Sequence, residues 1–449
     1  MSIGTAGTLL LGTAACSSSG MAKHNREVRK VVWPSDKLNV AVVGITHRGY
    51  SNIRAMKDLD VNIVALCDVD WREPAQKVFG EFPNAKRYKD YRKMLDKEKN
   101  IDAVIVAIPD HAHGVVASMA IKLGKHVYCE KPLAHSIYET REVTRLAREY
   151  GVQTQMGNQG HSDENIRLLC EWVAAGLVGD VTEVHAWCDR PAGGKAVSFV
   201  HGIERPTGDF AVPKELDWDL WNGPAAKRPY HPDYLPMKWR GYIDFGCGAL
   251  GDFGCHTLDP AFWALGLGSP DSVLATSTNQ LPEIKYDTFP TSSIITYWFP
   301  KRGNKPPVKL IWYDGGITPK WDERFEQVDF GTNGALLVSD KGIVQHGSHG
   351  AENLQFMPFD KQYIFENPTP TIPRVGKHQA DWVNACLTGN PSSANFNYGG
   401  PLTEMVSLGV AAGLLRNQKL HWDSKNMSLG ESEEAKSIIK PEFRKGWEM

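Results

Sequence analysis

Two short stretches hold side chains able to move a proton. In "YCEKPLA", Glu130, Lys131 and Pro132 follow directly on an apolar run. In open parallel sheets ligands bind beyond the carboxyl ends of the strands. A lysine there faces the crevice, where its ammonium can donate to a substrate hydroxyl and stabilise a developing alkoxide. In "GALGDFGCHTLDPAFWAL", Asp252 and His256 stand four apart, which on a helix places them on one face. A neutral imidazole, with an ordinary pKa of about 6.5, is the natural acceptor of a hydroxyl proton, and a carboxylate beside it can orient it. Each pattern also suits a plainer arrangement: a surface lysine in a turn, or an N-capping aspartate followed by a helical histidine.

The elements that would bring these groups together are legible from Lys37 onward. "KLNVAVVG", "VNIVALCD", "IDAVIVAIP", "KHVYCEKP" and "VQTQMGNQ" are short apolar runs separated by helical stretches. Continuous apolar strands divided by helices predict a parallel sheet covered on both faces, the doubly wound α/β fold, over residues 37–157. The first strand opens into "VVGITHRGYSN", which follows the dinucleotide turn G-x-G-x-x-G at Gly44 and Gly49 but carries Thr46 in the middle place, with His47 and Arg48 between. Asp68 ends the second run, about 20 residues on, where a carboxylate accepts from the adenosine ribose and repels the extra phosphate of NADP. NAD is therefore the expected cofactor, and Arg48 and Arg72 keep NADP as the less favoured alternative. Past Gly157 the strands lose their regular helices, which predicts a second α+β domain over residues 158–449 on a largely antiparallel sheet.

A polar and aromatic group follows: Asn158, Gln159 and His161 in "QMGNQGHS", then Trp218, Trp221, Trp239, Arg240 and Tyr242. Flat aromatic faces with amide, imidazole and guanidinium donors suit a sugar ring, and tryptophans equally suit a core or a domain interface. "PDHAH" places His111 and His113 two apart, too little for a metal site, and none is expected. The formal net charge of -2 and the lack of a long basic run argue against nucleic acid. Seven cysteines, dispersed without a C-x-x-C pair, read as buried thiols. The eighth, Cys16, ends the apolar stretch of "MSIGTAGTLLLGTAACSSSG", which resembles a bacterial lipoprotein signal although no basic residue precedes it. Residues 1–36 are thus expected to be a signal-like segment and linker, giving an exported protein, periplasmic or membrane-attached through a lipidated Cys16, with a cytoplasmic location the alternative.

Taken in order, the glycine turn, Asp68, "IPDHAH" with Pro109 and His113, "EKP", and "GDFGCH" resemble the glucose-fructose oxidoreductase and inositol dehydrogenase family, Gfo/Idh/MocA. The likeness runs through nearly the whole chain after the linker. It implies an N-terminal NAD-binding Rossmann domain, a C-terminal sheet domain that often mediates homo-oligomerisation, and a catalytic group of Lys131, Asp252 and His256. Gly44, Thr46, His47, Arg48, Gly49, Asp68, Pro109, His113, Glu130 and Lys131 would then face the cofactor, and Asn158, Gln159, His161, Trp239, Arg240 and His256 the substrate. The expected activity is hydride transfer from a hydroxyl of a sugar, glycoside or cyclitol to NAD. The alternatives are an NAD-dependent glycosidase that oxidises the ring transiently, and a non-catalytic sugar-binding protein on the same fold. Thr46 departs from the family pattern and puts the geometry at the pyrophosphate in question.

Overall fold

Runs of Val, Ile, Ala and Leu, buried from both sides, make the first sheet. The computed structural model describes residues 37–59, 61–191, 200–278, 287–415 and 418–449, so the signal-like segment and Cys16 lie outside the described residues. Strands β1 (Leu38–Val43), β2 (Val61–Cys67), β3 (Lys86–Tyr88), β4 (Ala103–Val106), β5 (His126–Glu130) and β6 (Thr154–Gly157) pair in parallel, in the order β3-β2-β1-β4-β5-β6. The predicted doubly wound sheet is present. Its edge strand β3 has three residues and leaves no periodic trace in the sequence.

Helices α1 (Arg48–Ala55), α2 (Ala75–Glu81), α3 (Tyr91–Lys97), α4 (His113–Lys122) and α5 (Ile137–Tyr150) connect these strands. The start of α5 is fixed by a capping box, in which Ser136 and Glu139 satisfy each other's backbone N–H groups, and it ends at Gly151 with φ 60°. One face of the sheet is completed from far along the chain. Val40, Val42, Ile53 and Tyr128 share a core with Trp382, Val383 and Cys386 of a late helix, α10.

Beyond α6 (Glu164–Ala174), a second sheet takes in β7 (Val181–Cys188), β8 (Ser272–Ser277), β9 (Ser293–Phe299), β10 (Val308–Tyr313), β11 (Asn333–Ser339), β12 (Gly342–His346), β13 (Gln355–Pro358) and β14 (Lys419–His421). Their order is β13-β12-β11-β7-β10-β9-β8-β14, antiparallel throughout except for the parallel pair β7 and β10. The remaining helices are α7 (Trp218–Asn222), α8 (Gly248–Thr257), α9 (Asp259–Leu265), α10 (His378–Thr388), α11 (Phe396–Leu415) and α12 (Glu433–Ile439). Helices α8 and α11 lie on the inner face. Part of the outer face is closed by the chain itself, where Phe325 and Phe330 cover Trp187, Ile311, Tyr313, Leu336 and Val338. Strands β10 and β11 are therefore buried on both sides and do not alternate, whereas β7 carries Glu183 and His185 beside Trp187 on this face. The stretch "FEQVDFGTNGALLVSD" divides at this point: its first half is the cover and only Asn333–Ser339 is strand.

The long connection between β7 and α8 reaches back to the first sheet. Leu216 forms an antiparallel bridge with Asp70, just past the end of β2, flanked by Trp71 N donating to Glu215 O at 3.2 Å and Asp217 N to Val69 O at 2.9 Å. Among the described residues no helix is long and apolar enough to cross a membrane.

Candidate active site

A cleft of about 640 Å³ runs along the carboxyl ends of the parallel strands, where residues of the glycine turn, Asp68, Lys131 and His256 share its lining. At the turn, Gly44 has φ 81° and a Cβ there would lie 2.1 Å from Ala107 O; a Cβ on Gly49 would lie 1.8 Å from Gly44 O. Both positions are closed to any side chain, and the backbone comes as near to the next strand as a glycine turn allows. The middle position behaves differently. The left-handed backbone falls on His47 (φ 47°, ψ -109°), next to Thr46, which itself carries no such strain. Past the turn α1 begins, its first N–H groups held by the turn itself, Gly49 N donating to Thr46 O at 2.9 Å and Ser51 N to His47 O at 3.0 Å.

Asp68 sits where the sequence places it, at the end of β2. One carboxylate oxygen accepts from Ile45 N and the other from Asp70 N, each at 3.0 Å. A carboxylate has about four acceptor sites, so capacity remains for ribose hydroxyls. Burial raises the Asp68 pKa to about 6, against the opposing pull of those two backbone donors. Arg72 is not free beside it: Asp70 holds the guanidinium through two hydrogen bonds of 2.8 and 2.6 Å.

At the other end, β5 delivers Lys131 and α8 delivers Asp252. The Lys131 ammonium donates to Asp252 Oδ1 at 2.5 Å and to the Asp252 carbonyl at 2.8 Å. Arg240 Nε reaches the same Oδ1 at 3.2 Å while its guanidinium lies 4.4 Å from the Trp239 ring centroid. Burial works to raise the Asp252 pKa, but the charges of Lys131 and Arg240 outweigh it and hold the carboxyl far below its usual range. One turn on, His256 is 4 % exposed, with Nδ1 buried and without a partner, which leaves Nε2 for the cleft. Burial, then the charge of Lys131, then His349 hold its pKa well below 6.5, so the ring is neutral at pH 7. Asp252 influences His256 by charge; the carboxylate's hydrogen bonds go to Lys131 and Arg240.

The structure adds residues that spacing did not point to. His349, in the loop after β12, stacks on His256 with centroids 4.1 Å apart. Asp110, in "PDHAH", is buried, accepts from Cys247 N at 3.1 Å and feels the charges of Arg240 and Lys131. No sequence signal joins positions 256 and 349, since only the fold makes them neighbours.

Other expected site residues take supporting places. Glu130 Oε1 accepts from Asn52 Nδ2 at 2.8 Å and Gln159 Nε2 at 3.0 Å, fastening α1 to the end of β5. Pro109 lies on the cleft wall. His113 is on that wall too, but both its ring nitrogens meet backbone carbonyls, those of Pro132 at 2.7 Å and Ile108 at 2.8 Å, so its role is to hold two loops. His111 is likewise set between the carbonyls of Phe245 and Trp221. Neither ring turns a lone pair toward a metal.

Asn158 and His161 correct the expectation of substrate contact. Both are 0 % exposed and outside the cleft, bound to Asp259 at 2.9 and 3.0 Å, with Tyr398 donating to the same carboxylate. They follow β6 on the sheet edge, and α9 covers them. Gln159 also turns inward, to Tyr128 and Glu130. Trp239 and Trp221 line the cleft, whereas Trp218 and Tyr242 belong to an aromatic core beneath it. The seven cysteines after Cys16 are buried and unbridged.

A parallel sheet with a glycine turn and an acidic strand end, whose cleft is completed by helix and loop side chains of the second half of the chain, is the arrangement of a Rossmann-class oxidoreductase. Residues 38–158 match the oxidoreductase family with an NAD-binding Rossmann fold, and residues 176–299 match that family's C-terminal alpha/beta domain. The chain belongs to the Gfo/Idh/MocA family. It is 29% identical over 152 residues to inositol 2-dehydrogenase of Salmonella paratyphi B, covering 33% of this chain and 45% of that one. It is 32% identical over 156 residues to glycosyl hydrolase family 109 protein 1 of Akkermansia muciniphila, 32% of each chain. The matches thus span about half or less of these curated relatives. The WlbA dehydrogenase of Bordetella pertussis, solved with NADH and UDP-GlcNAcA, shares the fold at a TM-score of 0.57 and 16% identity, over 86% of this chain and 98% of that one.

Proposed function

We propose that this protein oxidises a hydroxyl of a sugar, glycoside or cyclitol, using NAD. The observation that carries this is the pairing of Lys131 with Asp252, one helical turn from a neutral His256, in the cleft whose opposite end holds the glycine turn and Asp68. The cradle at Gly44 and Gly49, which any Cβ would fill, fits a dinucleotide's pyrophosphate. When bound, NAD supplies the nicotinamide carbon that accepts a hydride. Lys131 donates to the substrate oxygen and stabilises its growing negative charge, and His256 takes the hydroxyl proton. Asp252 fixes the ammonium in place, and Arg240 shares that carboxylate. Asp68, with Asp70 occupying Arg72, favours NAD over NADP. The inositol dehydrogenase relative and the sugar-nucleotide complex of WlbA support a carbohydrate-like substrate.

The test is a panel of sugars, glycosides and cyclitols read by absorbance of the reduced cofactor. Lys131→Ala and His256→Ala are expected to abolish turnover with NAD affinity largely kept, and Asp68→Ala to weaken NAD binding in a calorimetric titration. Single variants with ordinary turnover would overturn the assignment.

The match to a glycosyl hydrolase favours a second reading, in which the hydride returns to the sugar after the aglycone leaves. Glycoside cleavage without added nucleotide, and without net change in cofactor absorbance, separates it from the first. We propose also that Cys16 is lipidated in an exported protein; labelled palmitate incorporated by the parent and lost in Cys16→Ala checks this.

A further inference from the structure

The cleft continues past Asp68 to the β3 side of the sheet, and its outer wall there comes from a segment that neither family match reaches. Asp68 N donates to Tyr88 O at the end of β3, and Tyr91, three residues on, lines the cleft. Against Tyr91 lies Trp447, with ring centroids 6.3 Å apart. Trp447 lines the same cleft together with Leu220, Ala112 and Val116.

The indole is pinned from both halves of the molecule. From the first sheet, the Arg92 guanidinium lies 4.3 Å from its ring centroid. From the second half, Arg444 binds Asp219 of α7 through its side chain at 2.7 and 2.9 Å, its N–H meets Pro224 O at 3.0 Å, and Trp447 N closes the turn on Arg444 O at 2.9 Å. With the Arg92 and Arg444 guanidiniums 4.3 and 5.2 Å from its centroid, the indole is fixed firmly, and the part of its surface turned into the cleft offers a purine base a rigid apolar wall.

The pyrophosphate end is set by the glycine turn, the ribose by Asp68, and the reacting end by Lys131. The only part of an NAD molecule left for the Tyr91 side is its adenine. We infer that Trp447 forms the adenine wall of the NAD cleft, and that the Arg444–Trp447 turn holds it there. This rests on the NAD reading above and adds a residue to it.

The test measures binding and needs no substrate. NAD, AMP and nicotinamide mononucleotide are titrated into the parent and into Trp447→Ala, Trp447→Phe and Arg444→Ala. Trp447→Ala is expected to weaken NAD and AMP roughly tenfold or more, the scale of losing one base-aromatic stack, and to leave nicotinamide mononucleotide unchanged. Trp447→Phe should keep most of the AMP affinity. In parent protein labelled with ¹⁵N-tryptophan, the indole N–H signal absent from Trp447→Phe should shift on adding AMP and stay still with nicotinamide mononucleotide. That reading holds even if Trp447→Ala fails to fold. Parent protein that binds NAD while this signal ignores AMP overturns the inference alone; parent protein that binds no NAD overturns the function on which it rests.

Discussion

His349 shows how a residue outside the reacting group sets its working range. In the proposed reaction His256 is a neutral acceptor, so kcat/KM should fall as pH drops through its pKa, which lies well below 6.5. His349, stacked on it, is one cause of that depression. Removing the ring in His349→Gln takes away a like charge and raises the His256 pKa, so the acid limb of the pH profile should move to higher pH while the plateau persists. A limb that stays in place or moves down would show that the stacking has no electrostatic part. Lys131, Asp252 and His256 were legible because each belongs to a short motif with its own local chemistry. Four-residue spacing gives Asp252 and His256 a shared face but cannot tell which partner the carboxylate chooses, and here it chooses Lys131 and Arg240. Asn158 and His161 misled for a related reason: amide and imidazole groups serve a buried network around Asp259 as readily as a sugar.

Among the elements, the glycine turn is where a broken pattern had the smallest structural effect. The strain sits on His47, at a φ and ψ that glycine adopts readily and other residues rarely do. His47→Gly should therefore stabilise the protein by about 1 kcal/mol in urea unfolding, and Thr46→Gly should not. Gly49→Ala should cost several kcal/mol or reshape the turn, because its methyl would occupy the Gly44 carbonyl oxygen's place. A Thr46→Gly gain equal to that of His47→Gly would contradict this. The parallel sheet was readable since its strands are continuous apolar runs between helices. The missing elements, β3, β12, β13 and β14, have three to five residues each and gain their pairing from tertiary neighbours. Nothing local in α10 says which sheet it covers.

At the scale of the whole molecule, buried ionisable groups set the response to acid. Burial lowers the pKa of His111 and His346 to about 4 and of His378 to about 3. Each binds a proton on unfolding between its folded value and 6.5. Burial raises Asp314 to about 6 and Glu139 to about 7, and these release a proton on unfolding over the range from about 4 upward. His201, also lowered to about 4, joins the first set and Asp68, raised to about 6, the second, so four groups that gain a proton on unfolding stand against three that lose one, and stability should rise with pH between 4.5 and 6. Urea unfolding of nucleotide-free protein checks this, and greater stability at pH 4.5 than at 6 would reverse the sign. The bridge between Asp70 and Leu216 has another meaning at this scale. It stitches the two halves together beside the ribose carboxylate, so the halves cannot swing apart like jaws without breaking backbone pairs. With NAD bound as proposed, such a seam is expected to slow its entry and its departure alike, because either passage has to part the same backbone pairs. Asp217→Pro, which removes the N–H donated to Val69 together with the side-chain cap of α7, should speed coenzyme release in stopped-flow.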